Sequence, residues 1–196
     1  MKKSNGNLIH SFNIAVFISG RGSNLLSIIK KSLNRNSLFR VSLVLSNKGS
    51  AKGLELAKKY GIKTLVSDFT KSKAKEKKVI KIVNKNQIKL ICLAGFMKIL
   101  SNNFIKSFKG KIINIHPSLL PKYKGLNTHE KVVKNKDTYT GCTVHFVTKK
   151  LDSGEIILKK KVRVKINDNK ITIEKKVLKI EHKIYPEAIV KVLSNF

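Results

Sequence analysis

The sequence predicts an α/β protein: an open, mostly parallel sheet with helices on both faces and antiparallel strands added late. Three observations predict it. Short apolar runs alternate with longer amphipathic ones from Phe12 to Ile115, in the order β-α-β-α-β-α-β. The run Ile88–Ala94 is apolar enough to be covered on both faces, as a central parallel strand must be. After His116 the alternation stops, and two short-linked apolar runs replace it.

Each element follows from its pattern. Phe12–Ile18 reads as a buried strand, and Ser23–Leu33 as a helix with Leu25, Leu26, Ile29 and Leu33 on one stripe. Val41–Leu45 is a second strand. Ala51–Tyr60 is a second helix, ended by Gly61. Ile62–Val66 is a short third strand. A Lys-rich helix runs from about Lys71 to Asn86, with Val79, Ile82 and Val83 facing inward. Ile88–Ala94 and Ile112–Ile115 complete the parallel set. A Pro- and Gly-punctuated loop from Pro117 to Thr128 leads to a short helix near Glu130–Lys134. Cys142–Thr148 and Ile156–Val164 are expected to be antiparallel additions. The closing helix spans roughly Ile171–Ser194, with a bend expected at Tyr185-Pro186. Residues 1–11 read as a flexible extension and 12–196 as a single domain.

The chain has 196 residues, and its hydrophobic fraction of 41% supports a proper core. Cys92 and Cys142 are too few and too far apart for a disulfide framework or a zinc site, so no metal is expected. No apolar run reaches the ~18 residues that a membrane span needs. The expectation is a cytoplasmic protein with reduced thiols and no membrane partner. The net charge is +31, from 42 Lys and Arg against 11 Asp and Glu. Phosphate contacts would use such a charge, but 38 of the 42 cations are lysine, whereas base-reading surfaces favour arginine forks. The lysines are spread along the chain with no tail and no interleaved aromatics. Lys, Asn and Ile also have the most A/T-rich codons, so compositional drift, without a nucleic-acid partner, is the plain reading of the excess, with steering of anionic small substrates by the summed field as the alternative. Self-repulsion should lower stability at low salt.

Three motifs carry chemistry. Ser19-Gly20-Arg21-Gly22-Ser23-Asn24 turns the first strand into the first helix, where free N–H groups and the positive helix end favour an anion. Leu25 stands where a dinucleotide fingerprint needs its third glycine, and Ser46-Asn47-Lys48 offers no acid for a ribose hydroxyl. A phosphate monoester therefore fits better than NAD; a plain turn with Ser23 or Asn24 as helix cap is the alternative. In the second motif, Asn114 and His116 end the fifth strand two residues apart, so both point to one side. That strand end is where an open α/β sheet binds its ligands. An imidazole there can move a proton, and an amide can donate to an oxyanion. The third motif, Leu151-Asp152-Ser153-Gly154, is a turn first. Folded back on His116, Asp152 would stabilise the imidazolium and raise its pKa. Such a set, lacking a nucleophilic Ser or Cys, suits direct attack by an amine or water. His145 is either a second site residue or a satisfied strand histidine. For Glu181-His182, beside the apolar stripe of the closing helix, a solvated face is the plain reading.

Seven segments in register carry a resemblance: Gly20-Arg21-Gly22-Ser23-Asn24-Leu25, Ser46-Asn47-Lys48, Ala94 through Leu100, Asn114 through Gly125, His145-Phe146-Val147, Leu151 through Gly154, and Glu181-His182-x-x-Tyr185-Pro186. Together they resemble the phosphoribosylglycinamide formyltransferase family over nearly the whole chain. The resemblance implies the Rossmann-like formyltransferase fold. It also implies transfer of a formyl group from 10-formyltetrahydrofolate to the amine of glycinamide ribonucleotide, in purine biosynthesis. By the same resemblance Asn114, His116 and Asp152 are the catalytic set. Gly22, Ser23, Asn24 and Glu181 hold the ribonucleotide. Met97, Lys98, Ile99, Leu100 and Asn114 meet the folate, with a further basic contact somewhere in Lys71–Lys75. Lys98 stands where many relatives carry Arg, and Asn127 where His is common. A monomer or weak homodimer is expected.

Three rivals differ in checkable ways. Methionyl-tRNA formyltransferase has a further C-terminal RNA-binding domain, and an Arg-Gly-Ala-Ala-Pro stretch where this chain has Lys124-Gly125-Leu126-Asn127-Thr128. Formyltetrahydrofolate deformylase, a hydrolase, adds an N-terminal regulatory domain, whereas 11 residues precede the first strand here. A basic RNA-binding module would bind RNA in a salt-sensitive way without needing His116.

Overall fold

Period-two alternation along the apolar runs decides what each strand residue covers. In the computed structural model, which describes residues 12–196, the strands are β1 (Phe12–Ile18), β2 (Phe39–Ser46), β3 (Lys63–Val66), β4 (Ile88–Leu93), β5 (Lys111–His116), β6 (Tyr139–Phe146) and β7 (Ile156–Arg163). The expected extension over 1–11 lies outside the described residues. Along β1, Ile14, Val16 and Ile18 face one core, and Ala15 and Phe17 the other. The helices are α1 (Ser23–Ser32), α2 (Lys52–Lys59), α3 (Lys73–Lys85), α4 (Asn102–Ser107), α5 (Thr128–Lys134) and α6 (Lys170–Leu193). Residues of α1, α2, α5 and α6 join the first core, and those of α3 and α4 the second.

The strands form one sheet in the order β3-β2-β1-β4-β5-β6-β7. The first five are parallel, and β6 and β7 are antiparallel additions, as the sequence predicts. The chain leaves β1 toward β2 and β3, then returns to lay β4 on the other side of β1. That reversal opens a crevice at the carboxyl ends of β1 and β4.

Several boundaries differ from the pattern. Helix α3 begins at Lys73 because the Ser72 hydroxyl accepts the Lys75 N–H (3.4 Å); before it a 3₁₀ turn, Phe69–Lys71, buries Phe69 completely. Helix α4 is too short for periodicity to reveal; its start is fixed by Ser101, whose hydroxyl accepts the Phe104 N–H (2.9 Å). Strand β6 starts at Tyr139 because Thr140 and Gly141, which are not an apolar run, pair with β7. Helix α6 begins with an Asn169–Thr172 capping box and continues unbroken through the buried Pro186. Beside that proline, Tyr185 is fully buried and its hydroxyl donates to the Leu93 carbonyl (2.8 Å), pinning α6 to β4.

Candidate active site

Asn114 and His116 share the face of β5 that Ile112 gives to the second core. Antiparallel pairing places His145 directly opposite Asn114 and Thr143 opposite His116. The Asn114 amide nitrogen lies 3.3 Å from His145 Nε2. His145 Nδ1 lies 2.8 Å from the Phe146 carbonyl, an acceptor only, so Nδ1 carries a proton. Its Nε2 meets both the Asn114 amide and the Asp152 carboxylate. Pairing thus brings His145 against Asn114, the position its parity with Thr143 on β6 gives it.

Asp152 does fold back. Its Oδ2 lies 3.4 Å from His116 Nδ1, and its Oδ1 3.6 Å from His145 Nε2. The Gly125 N–H donates to Oδ2 at 2.8 Å. Asp152 sits at φ 45, a left-handed conformation that Asp and Asn tolerate better than other side chains with a Cβ. His116 Nε2 is 2.8 Å from the Tyr123 carbonyl. Both ring nitrogens of His116 thus face oxygens, which suits an imidazolium.

The expected upward shift of the His116 pKa is not what the environment produces. Burial is the largest influence and lowers it; the Tyr123 carbonyl and the Asp152 charge raise it, His145 and Lys131 lower it further, and the net shift is downward. The sequence shows the partner charge but not the desolvation. Asp152 behaves in the opposite sense. Burial raises its pKa, but the His145 contact, the Gly125 N–H and the two nearby rings together hold it below the ordinary carboxylate value.

The glycine turn is built as an open helix start. Gly22 is the cap residue at φ 81, and no side chain caps α1, so neither Ser23 nor Asn24 acts as the cap. A Cβ on Gly22 would come within 2.8 Å of the Gly53 backbone, so only glycine fits. Asn24 instead donates its amide to Glu181 Oε2 on α6 (2.7 Å), and both are buried. This replaces the solvated-face reading of Glu181. Burial raises the Glu181 pKa, and the Asn24 amide lowers it in part.

The segment after β4 forms the remaining wall. Phe96, Lys98, Ile99 and Leu100 line a cavity of about 90 Å³ together with Asn114, His145 and Asp152. Leu100 is buried, while Met97 and Ile99 are exposed. Lys98 Nζ lies 3.6 Å from Asp68, which also meets Lys71 at 4.0 Å. Asn127 takes a left-handed cap position at the start of α5. A larger cavity, about 510 Å³, opens at the opposite ends of the strands beside Asn13, Arg40 and Lys63, away from all of these groups. Among the described residues, no helix is long and apolar enough to cross a membrane.

A family pattern described as formyl transferase matches residues 12–189. Among curated proteins, the chain is 43% identical over 180 residues to the phosphoribosylglycinamide formyltransferase of Escherichia coli K12, covering 90% of this chain and 85% of that one. It is 41% identical over 201 residues to the human trifunctional purine biosynthetic protein adenosine-3, covering 97% of this chain. It spans only about a fifth (20%) of that relative's length. Among solved structures, the phosphoribosylglycinamide formyltransferase of Anaplasma phagocytophilum superposes with a TM-score of 0.88 at 38% identity, covering 94% of this chain and 87% of that one.

Proposed function

Because the chain belongs to the formyl transferase family, we propose that it moves a formyl group from 10-formyltetrahydrofolate to the primary amine of glycinamide ribonucleotide, a step of purine biosynthesis carried out in the cytoplasm. The observation that carries the reading is the convergence of Asn114, His116 and Asp152 at one strand end, beside an uncapped helix start.

The α1 turn, Gly22 to Asn24, receives the phosphate of the ribonucleotide through backbone N–H groups. Glu181, fixed by Asn24, positions the rest of that substrate. The folate lies along Met97–Leu100, with Lys98 and Lys71 near its anionic end; Lys71 is the member of the 71–75 run that shares Asp68 with Lys98.

The amine nitrogen attacks the formyl carbon, and a carbon–nitrogen bond forms. The carbonyl oxygen becomes an oxyanion, which the Asn114 amide and the His116 ring stabilise. The His116 N–H now held by the Tyr123 carbonyl is the one this oxyanion competes for. The attacking amine then loses a proton and the folate nitrogen gains one as its bond to the formyl carbon breaks. His116, poised by Asp152, carries the proton between them. No enzyme nucleophile is required.

The test is a formyl-transfer assay that offers glycinamide ribonucleotide, water and methionyl-tRNA as alternative acceptors. Transfer to the ribonucleotide is expected to exceed the others by orders of magnitude. Preference for water or for the tRNA would assign the chain to another branch of the family.

A further inference from the structure

The two substrate-binding segments leave different strands, and one side chain joins them. Ser19 ends the run of β1 and is buried. Its hydroxyl donates to Asn47 Oδ1 (2.5 Å) and accepts the N–H of Met97 (2.8 Å). Its own N–H donates to the Gly95 carbonyl (3.1 Å). A hydroxyl has one proton. With that proton committed to Asn47, a lone pair is left for Met97, and the direction of both bonds is set. The residue after Ser19 opens the phosphate turn, and its carbonyl is held by the Gly53 N–H (3.0 Å). Met97 lies in a stretch, 94–101, that has no helix or strand to hold it. Its place over the crevice between β1 and β4 therefore depends on discrete bonds such as this one.

We propose that Ser19 is a positioning residue that couples the two subsites, so that ordering the phosphate turn around one substrate also orders the Met97 strip for the other. The inference rests on the two-substrate reading above. Coupling of this kind is a free energy between sites and must be reciprocal. Each ligand should tighten the other by the same factor, and the factor should depend on the Ser19 hydroxyl.

The experiment uses the full chain and two non-reacting ligands, glycinamide ribonucleotide and unformylated tetrahydrofolate. Calorimetry gives the affinity of each alone and with the other saturating. In the wild type, each ligand is expected to tighten the other by about tenfold, within the usual range of such couplings. In Ser19→Ala the factor should fall to within about twofold of unity. A purely structural hydroxyl would lower the melting temperature and weaken both ligands while leaving the factor unchanged, and that result overturns the proposal. A wild-type factor near unity overturns it too. Asn47→Ala is the second variant. It keeps the Ser19 hydroxyl but frees its rotation, and it should cut the factor at least threefold; an unchanged factor there also counts against the proposal. If the wild type binds neither ligand, the formyl-transfer reading itself fails. If it binds both and transfers formyl but shows no Ser19-dependent coupling, only this inference fails.

Discussion

Asp152→Asn is the substitution that tests the acid–base set with least collateral change. Asparagine tolerates the left-handed conformation at this position, and its carbonyl oxygen can still accept the Gly125 N–H, so the turn should persist. What disappears is the charge beside His116. At 3.4 Å and an effective dielectric of about 20, a full charge pair is worth about 5 kcal/mol, an upper figure for the imidazolium that forms during transfer. At 1.36 kcal/mol per decade, that caps the loss in kcat at nearly four decades. Typical acid–base contributions set the lower end near two. The expected loss is therefore between about 10² and 10⁴ in kcat, with both KM values within about threefold of wild type. Steady-state formyl transfer gives the rates, and NMR titration of His116 gives the cause. The carboxylate raises the His116 pKa, so its removal must lower that pKa further. A folded variant with kcat within threefold of wild type would refute the reasoning, as would an upward shift of the ring.

Four further outcomes follow from the same contacts. His145→Ala frees the Asn114 amide and should lower kcat by about ten- to a hundredfold with little change in either KM, read in the same assay. Glu181→Gln keeps an acceptor for Asn24 but removes the charge; KM for the ribonucleotide should rise about tenfold while KM for the folate stays level. His116, His129 and His182 are all lowered by burial from the ordinary 6.5, so below that value the unfolded chain binds more protons than the folded one. The urea midpoint should therefore fall between pH 7.5 and pH 5.5. The raised Glu181 pKa acts the other way, but it is one group against three, and a midpoint that rises on acidification would count against the assignment. Added salt should raise the melting temperature by screening a net charge of +31, and differential scanning calorimetry across salt concentrations checks it.

What could be read in advance follows the range of the interaction involved. The strand order of faces and the pairing of Asn114 with His116 depend on a period of two, which a sequence displays directly. The glycine turn was legible because a positive φ and a 2.8 Å approach to Gly53 leave room for no other residue. Helix α4 was not, because six residues hold too few turns to show a period. The Tyr123 carbonyl and the Gly125 N–H are backbone groups, identical in every residue but proline, so no side chain announces their part in the site. The direction of the His116 shift is hidden from the sequence for a related reason. A sequence lists charges, and burial appears only when the chain closes over the ring.

Burial also separates the carboxylates that matter. Of 11 acidic residues in a chain dominated by lysine, Glu76, Asp152 and Glu181 are buried among the described residues, and no Lys or Arg is. Burying a carboxylate costs several kcal/mol unless hydrogen bonds offset it, so each of the three must have partners, and the partners tell them apart. Glu76 accepts from the Ser101 hydroxyl (2.6 Å) and the Asn103 amide (2.8 Å), two groups that do not titrate near neutral pH, and its effect is to tie α4 to α3. Glu181 accepts from one amide, that of Asn24 on the glycine turn. Asp152 alone faces two imidazoles, groups whose charge can change within a catalytic cycle. A carboxylate held by fixed donors can only fix a structure. One held between rings responds to a proton, and the role proposed for Asp152 rests on that difference.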